Sequence, residues 1–117
     1  GLGDVYKRQD ADMAESVRTA VAQAHELTGE AGLIGVITTQ PAQLQATLSD
    51  QLAEQAGAEV VLVDTAAAKG LEFDEVILVE PAQIVESSPQ GLNDLYVAMT
   101  RATQGLAVVH SRPLPWV

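Results

Sequence analysis

The sequence predicts an α/β domain: a mostly parallel sheet with helices on both faces. Three observations carry this expectation. Short, wholly apolar runs recur at Leu33-Ile34-Gly35-Val36-Ile37, Val60-Val61-Leu62-Val63, Val76-Ile77-Leu78-Val79 and Leu106-Ala107-Val108-Val109, and strands apolar on both faces belong to parallel sheets covered on both sides. Between them lie segments whose apolar residues recur three and four apart, the period of amphipathic helices. The chain has 117 residues, enough for one domain with a core and too few for two.

Taken in order, residues 1–9 hold two of the six basic residues and show no periodicity, so they are set aside as a non-native or disordered extension. The domain proper is expected over 10–117. Asp10 or Asp12 can cap a helix whose apolar positions are Met13, Val17, Val21, Ala24 and Leu27, ending near Gly29. The first apolar strand, 33–37, follows. Pro41 suits a first helical turn, and Leu44, Leu48, Leu52 and Ala56 form a stripe that Gly57 can end. After the strand at 60–63 comes a loop, then the strand at 76–79, a connector from Pro81 to Pro89, a helix with Leu92, Leu95, Tyr96 and Met99 inward, and a last strand at 106–109.

Composition narrows the chemistry. Sixteen acidic residues against six basic ones give a net charge of −10. Free-standing nucleic-acid binders are usually basic, so this domain alone should hold DNA poorly. The absence of cysteine excludes a disulfide scaffold and a thiolate zinc site, and two distant histidines, expected at a helix surface (His25) and a strand end (His110), leave no metal ligand set. No apolar run approaches the roughly 20 residues of a membrane span, so a cytoplasmic setting is expected. The chain reads as a piece of a larger protein.

Two segments stand out. The loop Asp64-Thr65-Ala66-Ala67-Ala68-Lys69-Gly70-Leu71-Glu72-Phe73-Asp74 follows a strand, where α/β folds place ligands at carboxyl ends. Gly70 permits a positive φ, and the Glu72 carboxylate can accept two hydroxyl hydrogen bonds. The alternative is a solvated turn, with Lys69 paired to Glu72 or Asp74 and Phe73 plugging the core. The second segment is the helix end Leu95-Tyr96-Val97-Ala98-Met99-Thr100-Arg101-Ala102. Its guanidinium suits a phosphate that gains charge during transfer; the alternative is a cation stabilising the helix C-terminus. Together these basic residues in an acidic chain suggest a polyphosphate ligand.

The first segment resembles motif V, and the second motif VI, of UvrD/Rep-type superfamily 1 helicases, in the expected order. The resemblance covers about Gly32 to Val109 and looks closest to compact actinobacterial UvrD-like proteins, including those related to HelD-type ATPases that act on RNA polymerase. It implies a three-layer RecA-like fold, the second motor domain of an ATP-dependent DNA helicase or translocase. It further implies that Glu72 holds the ribose of ATP and that Arg101 is the arginine finger. Lys69 and Gly70 would form the motif V turn, Thr65 would contact the DNA backbone, and Thr100 would support the arginine.

Several positions depart from the family pattern. Ala66 stands where many relatives have a histidine, Leu92 and Asn93 where others have an arginine pair, and Gly105 where a basic residue is common. The span from Ile37 to Val60 leaves no room for a large inserted subdomain. No phosphate loop of the form G-x-x-x-x-G-K-[ST] is present, so this chain alone should not hydrolyse ATP. The resemblance therefore implies that an upstream RecA-like domain supplies that loop, the Mg2+ ligands and the base for the attacking water.

Overall fold

The computed structural model describes residues 5–7, 13–29, 32–53 and 59–116. Its elements in chain order are β1 (Val5–Lys7), α1 (Met13–Thr28), β2 (Leu33–Ile37), α2 (Pro41–Ala53), β3 (Glu59–Val63), α3 (Thr65–Ala68), β4 (Phe73–Val79), α4 (Pro81–Glu86), α5 (Gly91–Met99) and β5 (Ala102–His110). The strands form one sheet in the order β1-β5-β4-β2-β3, and every neighbouring pair is parallel. β1 lies within the 1–9 stretch set aside above, with its backbone beside Val108–His110. The expected cap of α1 at Asp10 or Asp12 and the expected stop of α2 at Ala56 and Gly57 lie outside the described residues.

Apolar residues alternate between the two faces of the strands, so the sheet carries a core on each side. On one face Val17, Val21 and Ala24 of α1 and Leu48 of α2 pack on Ile34, Val36, Ile77, Val79 and Val109. On the other, Ala68 of α3, Ile84 of α4 and Leu95 and Ala98 of α5 pack on Ile37, Val76, Leu78, Leu106 and Val108. This is the expected three-layer α/β arrangement. Among the described residues no helix is long and apolar enough to cross a membrane.

The structure corrects five expectations. The loop after β3 begins with a short helix, α3, and the Pro81 to Pro89 connector contains α4. Leu27 is 69% exposed, because the buried stripe of α1 ends at Ala24. Leu92 and Tyr96 were expected inward but are 69% and 68% exposed. The cause is Gly91: a Cβ there would stand 1.8 Å from the Val85 carbonyl oxygen, so α5 is pressed backbone-to-backbone against α4. That contact turns Leu95 and Ala98 inward and leaves Leu92 and Tyr96, one residue further round, outside. His25, expected at the helix surface, is half-buried, with its Nδ1 buried and without a hydrogen-bond partner.

Ile77 is fully buried at the sheet centre, whereas Leu92 is exposed. Ile77→Ala should destabilise the fold by about 2–5 kcal/mol, and Leu92→Ala should stay within about 0.5 kcal/mol of the parent. Denaturant unfolding of the two variants checks the contrast.

Candidate functional site

β3 ends at Val63, level with Ile37 and Leu78 at the carboxyl edge of the sheet. Asp64 caps α3 there: its Oδ1 accepts a 2.8 Å hydrogen bond from the Ala67 amide. A strand parallel to its neighbours must be entered from the amino edge, so the chain has to recross the sheet before β4. It does so through α3 and a turn at Gly70, whose φ is +82°. Lys69, Leu71 and Glu72 are exposed, and Phe73, 2% exposed, plunges into the core. Room for its ring comes from Gly35, where a Cβ would lie 2.5 Å from the Phe73 side chain.

This route corrects the expected location. Thr65 stands at the carboxyl edge with Lys69 one helical turn further on, whereas Glu72, directly before β4, stands at the amino edge, about 16 Å from the carboxyl edge for five strand residues. Arg101 directly precedes β5, so it stands at the amino edge too. The structure thus brings Glu72 and Arg101 together and leaves Thr65 on the opposite rim.

Two contacts fix the meeting point. The Phe73 amide donates to the Arg101 carbonyl at 2.9 Å, and Arg101 Nη1 donates to the Leu71 carbonyl at 3.5 Å. Glu72 therefore sits between two residues that are both tied to Arg101. No ion pair closes Glu72 onto Arg101 among the described residues, so the carboxylate stays open to solvent. Arg101 is further held by Nε on the Val97 carbonyl (3.1 Å) and by Nη2 on Thr100 Oγ1 (3.2 Å), while Thr100 Oγ1 donates to Val97. The bond to Val97 is the helix-terminal role given above as the alternative. A guanidinium has five N–H groups; three are used here, which leaves one on each Nη to meet an anion on a pre-oriented side chain.

Lys69 pairs with neither Glu72 nor Asp74. Its Nζ lies 3.9 Å from Asp94 Oδ1 on α5. Asp74 instead accepts from the Leu33 amide (2.8 Å) and from Gln104 Nε2 (3.3 Å), joining the starts of three strands. Beside it, Glu75 is buried against Gly105, where a Cβ would stand 2.4 Å from its carboxylate. Burial, helped by the neighbouring Asp74 charge, raises its pKa above the ordinary 4.5.

Sequence reasoning expected ligands at the carboxyl edge but singled out none of the residues that line the cleft there. A cleft of about 520 Å3 opens there, lined by residues that include Thr38, Gln40, Gln43, Glu80, Gln83 and Ser111. Glu80 is 4% exposed and adopts a left-handed backbone, φ +49°, the sole non-glycine to do so among the described residues. Its carboxylate accepts from the Ser111 amide and hydroxyl at 3.0 and 2.8 Å. A charged residue between an apolar strand and Pro81 was the available signal. Among the described residues no group of three or more His, Cys, Asp or Glu could hold a metal ion.

Fold and rim together define a parallel α/β domain with Glu72 and Arg101 side by side on one edge of the sheet. Residues 59–109 match the family model of the UvrD-like helicase C-terminal domain. The match begins at β3 rather than at Gly32, and it takes in both halves of the rim. The fold is similar to that of the C-terminal domain of a possible DNA helicase from Lactobacillus plantarum WCFS1, with a TM-score of 0.72 and 22% sequence identity over 97% of this chain and 76% of that one. No curated protein matches the chain.

Because Glu75 has a raised folded pKa, its stabilising contribution is complete below the ordinary carboxylate value and is lost as pH rises through the folded value. Glu75→Gln should therefore unfold at a higher midpoint than the parent at pH 7, and the gap should close below pH 4.5. Thermal unfolding across that range provides the test.

Proposed function

We propose that this domain is the second motor domain of an ATP-dependent DNA helicase or translocase. In this reading Glu72 and Arg101 complete a nucleotide site that a first RecA-like domain carries. The observation that supports it most is the pair of contacts tying Leu71 and Phe73 to Arg101, which leaves the exposed Glu72 carboxylate and the half-buried Arg101 side chain on one rim. Glu72 accepts hydrogen bonds from the two ribose hydroxyls. Arg101, pre-oriented by Val97, Thr100 and Leu71, offers its two remaining N–H groups to the terminal phosphate, where negative charge grows in the transition state. Lys69 and the Gly70 turn set the position of that loop. Mg2+ would be held by the upstream domain and would supply the remaining charge compensation. Thr65, on the other rim, faces the DNA backbone.

In the full-length protein, Arg101→Ala should lower ATP turnover by about 10³-fold or more while nucleotide affinity stays near that of the parent. Steady-state ATPase rates and nucleotide titration separate the two effects, and undiminished turnover would remove the finger assignment. Glu72→Ala should weaken nucleotide binding by about 10- to 100-fold, as expected for loss of hydrogen bonds to a charged acceptor. An unchanged affinity sinks the ribose role.

The net charge of −10 favours a second reading. Here the motor is a HelD-like module, of the compact actinobacterial type, that works on RNA polymerase through protein contacts with little unwinding, its acidic surface docking on a basic partner. Strand displacement by the full-length protein, measured beside ATP hydrolysis, distinguishes the two, because only the helicase reading requires unwinding.

A further inference from the structure

We propose that Asp94 is a positioning residue for the nucleotide rim, acting through Lys69. The inference rests on the reading of that rim as a nucleotide site. After Gly70 the segment carrying Glu72 is tied to Arg101, but the turn that leads into it has few contacts. One backbone bond, Leu71 N to Ala68 O, links it to α3, and no atom lies within 4 Å of where a Cβ would stand on Gly70. Both contacts with Arg101 lie after Gly70. Ahead of it, Ala68 packs in the core beside Leu95 and Ala98 of α5, and the ion pair of Lys69 with Asp94 adds a polar tether to the same helix, whose end carries Arg101. Without that tether, the turn can pivot about a left-handed glycine.

Asp94 is the fixed partner of the pair. Its side chain is 14% exposed against 56% for Lys69. It stands in the first turn of α5, where the helix dipole favours a carboxylate. Its Oδ2 accepts from Ser88 Oγ at 3.1 Å, which leaves Oδ1 for the lysine. The charge therefore has a defined place before Lys69 reaches it. A pair this open adds little to global stability, so its effect belongs to the placement of the loop rather than to the fold.

The test uses the full-length protein and reads KM for ATP, kcat and the unfolding midpoint together. Asp94→Asn should raise KM about threefold to fivefold, the range of an exposed ion pair, with kcat and the midpoint near parental values. Lys69→Met, at the exposed end of the same pair, should do the same. The double variant should be no worse than either single one, because both remove one interaction. An unchanged KM in the single variants, or effects that add in the double one, overturns the proposal. Glu72→Ala separates the levels: if it raises KM while Asp94→Asn does not, the tether alone fails; if Glu72→Ala leaves KM unchanged, the nucleotide reading fails and the proposal falls with it.

Discussion

The amide of Phe73 bonded to the carbonyl of Arg101 is the contact on which the candidate site depends. It joins the first residue of β4 to the residue that opens into β5, and these are the points where the two conspicuous loops enter the sheet. The contact holds because the Phe73 ring is buried in the niche left by Gly35, and a buried aromatic side chain fixes its own backbone in place. Thr103 strengthens the junction by donating to the Phe73 carbonyl at 3.2 Å. Glu72, one residue earlier, is thereby held near the guanidinium from its β4 side.

A parallel sheet imposes a second constraint. Every connection must return from the carboxyl to the amino edge, so residues adjacent in a loop can end on opposite rims. Thr65 and Glu72 are separated in this way. The sheet's carboxyl edge, with the cleft bordered by Glu80, lies apart from the rim that carries Glu72 and Arg101. The paired side chains of Arg112 and Glu86 flank that cleft end, and their contact holds the Glu86 carboxyl below its ordinary pKa.

Much of the fold was legible in the sequence because strands buried on both faces leave continuous apolar runs. The runs at 33–37, 60–63, 76–79 and 106–109 all fall inside observed strands. Helix rotation was less legible. The spacing of Leu92, Leu95, Tyr96 and Met99 allows several inward faces, and the choice among them is made by Gly91 meeting Val85, a tertiary contact with no periodic signature. Chemistry-bearing residue types in the site could be picked out, but their edge of the sheet could not, since that depends on how far a short loop travels. Asp94 escaped notice because it is one carboxylate among sixteen acidic residues, and only its proximity to Lys69 sets it apart.

β4 has a mechanical consequence. Its seven residues span about 23 Å and connect Glu72, just before its first residue, to Glu80, just after its last. From Val76 to Leu78 it is fully buried, with side chains locked into a core on either face. The packed middle of β4 therefore sets the spacing between the rim that holds Glu72 and the cleft beside Glu80.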